Sequence, residues 1–543
     1  MNEKTKIGLK ILEAALLLGF LGDALLRETP WGLNVFLWIG ALVAGMLMLT
    51  RRRQSEFFNA HTIALHSALV FFAAMFVWRD SMELKLLNTA AVLTILSLLT
   101  LPALKIKTQT AGVVHYFYAW IWAGLNAMLA PFYLLFGDIK WKTIPQAGWT
   151  KHLIAVLRGL VIVAPLLLVF GALFMAADAV FQGIIEQTFH IDPGILITHV
   201  FLIGFLSWTV AGYLRGSLLS TFASEKSAEI KVQTLSITEK PEDEKDSAAV
   251  SEQTKTTDWR NFDNSVMPKL FTLGAIEASI VLGLINLLFL GFVIVQIPYL
   301  FGGMELVQTT PDFKLADYAR RGFGELVIVA ALVLPILLLS HWLLRKDAPV
   351  NEKIYRALAG IQIGLLFVIM ISATQRLLLL TGNLGYGLTT VRLYPMVFMV
   401  WLALVFVWFG LTVLRGARQR FAWGALWSAF FIVGTLHVFN PDDFIVRTNV
   451  QLMQEGRAFD SRYAANLSDD AIPTLLENLP TMNFEDQCAI KWKLASRFEE
   501  AKTENDFRTW NLARFAARAE MSQSRESLDT TNCAVETKPF DLW

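Results

Sequence analysis

The stretch Leu270–Ile297 reads LFTLGAIEASIVLGLINLLFLGFVIVQI, with one carboxylate, Glu277, among apolar, small and uncharged side chains. As an α-helix it is longer than the hydrocarbon core of a bilayer, about 30 Å thick, where a helix satisfies its own backbone hydrogen bonds. The same pattern recurs along the chain, in runs of roughly 18 to 25 residues. They are Gly8–Leu26, Trp31–Leu49, Ala60–Trp78, Leu86–Leu104, Val113–Phe136, Val156–Ala177, Ile195–Leu214, Phe323–Leu344, Arg356–Leu380, Val391–Leu414 and Phe421–Val438. The fold class read from them is all-α: a polytopic transmembrane bundle of about 11–12 spans.

Composition points the same way. Hydrophobic residues make up 55% of the chain and charged residues 17%, with a mean hydropathy of +0.49, far from the balance of a soluble domain. The net charge of +1 gives no global field to attract nucleic acid or an acidic substrate, so nucleic acid is not expected as a partner. Lys4, Lys6 and Lys10 precede the first run as in a secretory signal. That run carries Glu13 and Asp23 and lacks a small-residue cleavage site before Pro30, so it reads as an uncleaved first span.

Cytoplasmic loops are enriched in Lys and Arg near helix ends. By that rule Arg51–Arg53, Lys140 with Lys142 and Lys151, Arg215, Lys269, Arg345 with Lys346 and Lys353, and Arg415 with Arg418 and Arg420 fall inside. Ala177–Gly194, with Asp178, Glu186 and Asp192, falls outside. The assignments conflict unless one run between Arg53 and Lys140 fails to cross. Val113–Phe136 is the candidate: His115, Tyr116, Phe117, Tyr118, Trp120 and Trp122 crowd one end and Pro131 interrupts the other, a composition suited to the headgroup zone. Eleven spans then remain, in a bacterial cytoplasmic (inner) membrane with the N-terminus cytoplasmic and the C-terminus extracytoplasmic.

Two stretches break the hydrophobic pattern. Residues 221–268, with Glu239–Asp246 charged in both signs and no apolar period, read as a disordered cytoplasmic linker between an N-terminal bundle, 1–220, and a C-terminal bundle, 269–439. Residues 440–543 read as an extracytoplasmic helical tail. There Ser468 is expected to cap a helix with Asp469 and Asp470 in its first turn, closed by Pro480. Two amphipathic helices follow over Phe484–Lys502 and Phe507–Met521, with stripes Ile490, Leu494, Phe498 and Trp510, Leu512, Phe515, Ala516. The only cysteines, Cys488 and Cys533, both fall in this tail, where an oxidising compartment permits a disulfide; two unpaired thiols are the alternative.

Several phrases resemble a known family: Ala177–Phe181, Asn286–Gln296 with Tyr299–Gly303, Tyr318–Phe323 with Glu325 and Leu326, and Leu467–Pro473. They resemble the bacterial membrane proteins grouped as domain of unknown function 4173, related to the 4153 group. The resemblance covers most of the chain and implies a polytopic membrane protein with no established activity and no catalytic residues to carry over.

A charge within a span costs roughly 2.5 to 3.5 kcal/mol on insertion scales and must face a partner or water. Gln296, Arg320, Arg321, Glu325, Gln375, Arg376 and Arg392, together with His437, all map near the external face and form a candidate ligand-binding cluster for an anion or headgroup. Arg321 and Glu325 stand four apart on one helical face, and a glycine-rich hairpin, Gly382–Thr390, separates Arg376 from Arg392. The blander reading is that the arginines pair with Glu325, Asp442 or Asp443 to tie helix ends together. Glu277 and Asn286 stand too far apart along one helix for a relay, and Gly40, Gly45, Gly283 and Gly291 are expected to allow close helix packing.

No phosphate loop, dinucleotide fingerprint, zinc motif, nucleophile elbow or Cys-x-x-Cys pair is present, and no cofactor or metal is expected. The function expected first is a non-enzymatic role in envelope sensing, regulation or assembly, its partners being the lipid bilayer and another envelope protein met through the tail. The alternatives are a transporter of a small anion or lipid-linked compound and an envelope enzyme acting on lipid or polymer.

Overall fold

The computed structural model describes residues 3–50, 59–141, 193–236, 272–301, 315–345, 349–378, 387–503, 506–525 and 528–531, with isolated positions such as Cys533. Among them every regular element is helical, apart from one isolated bridge between Leu273 and Leu344. Ten helices of the described residues are long and apolar enough to cross a membrane.

The first bundle holds α1 (Glu3–Leu26), α2 (Leu33–Thr50), α3 (Ala60–Trp78), α4 (Met82–Leu98), α5 (Val113–Tyr133) and α6 (Pro193–Ser236). Its core is built on Ile11, Leu65, Leu69, Phe72, Ile95 and Leu214, all essentially inaccessible. Helices α1 and α6 run antiparallel in close contact. A Cβ on Gly19 would lie 1.9 Å from Ser207 Oγ, and one on Gly212 would lie 2.2 Å from the Asn126 carbonyl of α5. These glycines let backbones approach within the bundle. Among the described residues, a Cβ on Gly40, Gly283 or Gly291 would meet nothing within 4 Å, and one on Gly45 would meet Leu18 at 3.7 Å. Apolar sequence around a glycine does not say which helix face turns toward a neighbour.

Thr5, Leu98 and Arg215 lie on one face of the bundle, here the near face; Arg27, Arg79 and Thr198 lie on the far face. Helix α5 is long enough to cross but has both ends on the near face. At its start Tyr116 Oη donates to the Thr108 carbonyl at 3.2 Å, in a turn that packs on the near-face turn Arg418–Arg420. After its end Asp138 pairs with Lys4 Nζ at 2.7 Å and Arg215 Nε at 2.6 Å, while Thr5 Oγ1 donates to its carbonyl. Between those ends α5 slants past α6, with Asn126 against Gly216 and Phe132 against Trp208. Val113–Phe136, expected not to cross, is one of the ten candidate spans by length and composition, yet its described ends share the near face. The expected span Val156–Ala177 and the loop after it lie outside the described residues.

Helix α6 continues to Ser236, past the linker boundary expected at Thr221. That stretch, SLLSTFASEKSAEIKVQTLS, is rich in Ala, Glu, Lys and Leu, which favour helix once the preceding span has nucleated it.

The second bundle holds α7 (Ala275–Phe301), α8 (Leu315–Leu343), α9 (Pro349–Leu378) and α10 (Thr390–Thr412), around Leu282, Ala330, Leu337, Leu366, Val405 and Phe409. Helix α11 (Phe421–Phe439) straddles the two: Phe421 belongs to the second core and Phe430 to the first, where it meets Phe72 edge to face at 5.2 Å. The division at residue 269 therefore does not divide the packing.

Beyond α11, five short helices form a unit on the far face: α12 (Pro441–Gln454), α13 (Ser461–Ala465), α14 (Ile472–Asn478), α15 (Phe484–Thr503) and α16 (Leu512–Gln523). Its core, with Ile445, Val446, Leu475, Ile490, Leu494 and Ala517, is completed by Leu388 and Leu393 at the far end of α10. The unit's core is thus mostly its own, separate from the two bundle cores, with α10 contributing at its edge. Cys488 and Cys533 are joined, with S–S 1.99 Å and Cα–Cα 5.6 Å. Two local expectations are overturned. Helix α16 buries Ala513, Arg514, Ala517 and Met521 instead of the aromatic stripe, because its small alanines permit close approach while Asn511 and Arg514 bond the far end of α3. Ser468 makes no capping bond; its hydroxyl donates to Asp442 instead.

Candidate functional site

Two polar places on the far side bear on the expected cluster and on the joint between the far-face unit and the spans. The first contains part of the expected cluster. Arg376 on α9 and Gln296 on α7 are both buried; Arg376 Nη2 donates to Gln296 Oε1 at 2.5 Å, and Ser372 Oγ, one turn earlier, donates to the same oxygen at 3.1 Å. Gln375 is half-buried beside them. The remaining members do not join this group in the contacts described. Arg392 Nη1 donates to the Gly387 carbonyl, closing the start of α10, and Glu325 is exposed on α8. The side chains of Arg320 and Arg321 lie outside the described residues, as does most of the Gly382–Thr390 hairpin. His437 is elsewhere: its Nε2 lies 3.0 Å from Asn88 Nδ2 in the first bundle.

The second place is the seam between the far-face unit and the span ends. Asp470, buried at the start of α14, spans it. One carboxylate oxygen pairs with Arg79 Nη1 at 3.1 Å, and the other accepts the backbone N–H of Asp80 at 2.7 Å and of Ser81 at 3.2 Å, in the turn from α3 to α4. The Arg79 Nε also donates to the His437 carbonyl at 2.7 Å, so one arginine joins α3, α11 and α14. Beside it Asp442, 2% exposed, accepts both the hydroxyl (2.5 Å) and the N–H (3.2 Å) of Ser468. Asp469 pairs with Arg497 of α15. Asn511 Nδ2, at the entry to α16, donates to the carbonyls of Phe76 at 2.9 Å and Arg79 at 3.0 Å.

Crowded carboxylates in a dry seam hold their protons more tightly. Burial pushes the Asp442 carboxyl up to about 6; the Ser468 hydrogen bonds oppose this, and the negative fields of Glu83 and Asp470 add to it. Asp470 is also raised by burial, against the backbone N–H of Asp80 and the Arg79 charge, and Asp469 by burial against Arg497. Among the described residues no group of three or more His, Cys, Asp or Glu side chains is placed to hold a metal ion. On the near face a depression of about 520 Å³ is lined by His61, Lys105, Lys107 and Gln109, none of them an expected site residue.

The seam was missed as a site in the sequence, although Leu467–Pro473 stands out there as a phrase, because its partners Arg79 and Asp470 are 391 positions apart. The chain belongs to the family described as domain of unknown function (DUF4153), whose model matches residues 66–478, from α3 to the end of α14. No curated protein and no solved structure matches it.

Proposed function

We propose that this integral membrane protein is a non-enzymatic component of a bacterial cytoplasmic membrane, in which the far-face unit senses, regulates or assembles a partner in the envelope. The observation that carries the reading is the Asp470 contact with Arg79, Asp80 and Ser81, which fastens that unit to the α3–α4 turn of the first bundle, while Arg79 also reaches the His437 carbonyl of α11. A unit so fastened cannot shift without moving the α3–α4 turn or α11, so an event on the far side reaches the spans. Placing the near face in the cytoplasm follows the positive-inside bias of Lys4, Lys6, Lys105, Lys107, Arg415, Arg418 and Arg420, and membership of the 4173 subgroup rests on the phrases from Ala177 to Pro473. Purification of the intact protein from its membrane, followed by mass spectrometry, tests the proposal: a stable envelope partner lost in Asp470→Ala supports it. Substrate-driven flux in proteoliposomes holding this protein alone, with no co-purifying partner, would reject it.

A second reading has its own observation. Arg376, buried between α7 and α9 with Gln296 and Ser372, offers a guanidinium at the far end of the second bundle, suited to a small anion or the phosphate of a lipid-linked compound. Anion flux that disappears in Arg376→Gln would favour this transporter reading.

A further inference from the structure

The outward face of α16 begins with Leu512 and Phe515, 44% and 59% exposed, and continues through Ala516 and Ala519 to Glu520, Ser522 and Gln523. Apolar side chains therefore crowd one end of the helix and polar ones the other. The apolar end touches the α1–α2 hairpin. The Leu33 N–H donates to the Trp510 carbonyl at 2.9 Å, a Cβ on Gly32 would lie 2.4 Å from that same carbonyl, and Arg508 Nη1 donates to the Ala24 carbonyl. Phe507, 68% exposed, and Trp510, 41% exposed, stand in this turn, and Trp31 of the hairpin is 43% exposed.

The hairpin sets the depth at which these side chains lie. Leu17, Phe20, Leu21 and Ala24 form the outward apolar strip of α1, a helix more charged than the ten candidate spans but packed antiparallel along the spanning α6, and Arg508 touches the last of them. The apolar patch thus continues a lipid-facing surface where it leaves the hydrocarbon. The charges beside it fit that depth: Arg508 lies 3.2 Å from Glu28 and also pairs with Asp506, a half-buried ionic group next to the patch. Aromatic rings with a polar edge, next to an arginine, favour this zone.

We infer that the Phe507–Phe515 edge of the far-face unit is a membrane-interface anchor, seated among the headgroups and upper acyl carbons of the far leaflet beside the α1–α2 hairpin. The unit is then held both by its seam and by the lipid surface, and the polar end of α16 points to water. The occupant is lipid because the patch is continuous with the outward strip of α1 and its apolar character falls off along α16 toward Glu520 and Gln523.

The native cysteines are bridged and none is free, so an introduced one takes a thiol label alone. Phe515→Cys and Gln523→Cys, carrying a small fluorophore and reconstituted in full-length protein, are compared in vesicles containing lipid with a nitroxide high on its acyl chain. The expected result is quenching at 515 several-fold greater than at 523, with iodide in the aqueous phase giving the reverse order. Equal lipid quenching at the two positions overturns the inference. So does protection of 515 from both quenchers, which would show a second copy or another protein covering the edge.

Discussion

Arg376 and Arg79 are both arginines near the far ends of spans, and they are held in opposite ways. Arg376 is buried within one bundle, and its described hydrogen bond goes to a neutral amide, Gln296. Arg79 sits at the surface of the bundle, yet contacts a carboxylate, Asp470, and the His437 carbonyl, in segments more than 350 positions away. Insertion cost selects the first and overlooks the second. The expense of a buried charge measures what a span must satisfy within itself; it does not reveal the charge that joins segments outside the membrane.

The sharpest way to break this comparison is to remove the carboxylate from the seam. Asp470→Ala leaves Arg79 without its acid and two backbone N–H groups without their acceptor, the situation that costs roughly 3 to 5 kcal/mol when one partner of a buried pair is lost. Limited proteolysis in detergent is expected to cleave the far-face unit while the spans stay folded; unchanged cleavage would mean that the seam does not hold the unit.

The disulfide acts within the unit, not between unit and spans. Closing a loop with a sequence separation of 45 stabilises it by about 4 kcal/mol in the chain-entropy model. Cys533→Ser is expected to loosen α15 in hydrogen exchange and leave the α3–α4 turn protected, whereas Asp470→Ala exposes that turn. Intact-mass analysis after alkylation, with and without reductant, checks the bridge directly.

Protonation separates the two arginine sites next. The Asp442 carboxyl titrates at about 6 in the folded protein against 3.8 as its ordinary value, so folding takes up a proton between those values. The associated stability is fully present below about 3.8, falls as pH rises through about 6 and is flat above it. At roughly 1.4 kcal/mol per pKa unit this contributes on the order of 2 to 3 kcal/mol. Asp442→Asn is expected to raise the unfolding midpoint at neutral pH, with the difference closing by about pH 4. A constant difference across that range would remove Asp442 as the titrating group.

The smallest effect is expected at Arg376. Losing a hydrogen bond made by a charged group to a neutral one costs about 1.5 to 3 kcal/mol, so Arg376→Ala should lower the thermal midpoint modestly, and the exposed Lys353→Ala less still. A loss equal to that of Asp470→Ala would break the contrast between the two arginines.

What could be read from the sequence follows from the range of each signal. The spans were legible because twenty apolar residues in a row have few other uses, and the side-lying α5 because lysines and arginines on either side of it demanded one crossing fewer. The cysteine pair was legible by elimination, two thiols in one tail. The direction of α16 was not. Phe515 and Leu512 look like a core stripe, and only the neighbours of Ala513 and Ala517 show that the alanines face inward. Of the expected ligand cluster, Gln296 and Arg376 meet, with Gln375 beside them, while Arg392 bonds the Gly387 carbonyl and His437 faces Asn88, because nearness to one face says nothing about position around the bundle.

The placement of α11 bears on how the protein is made. Phe72 and Asn88 belong to the first spans to leave the ribosome, but their partners Phe430 and His437 emerge about 350 positions later. Until then the nascent first bundle presents an unfilled groove, and an amide without its imidazole, to the lipid or to an insertion chaperone. A chain interrupted anywhere before α11 therefore lacks the partners of Phe72 and Asn88 in its first bundle.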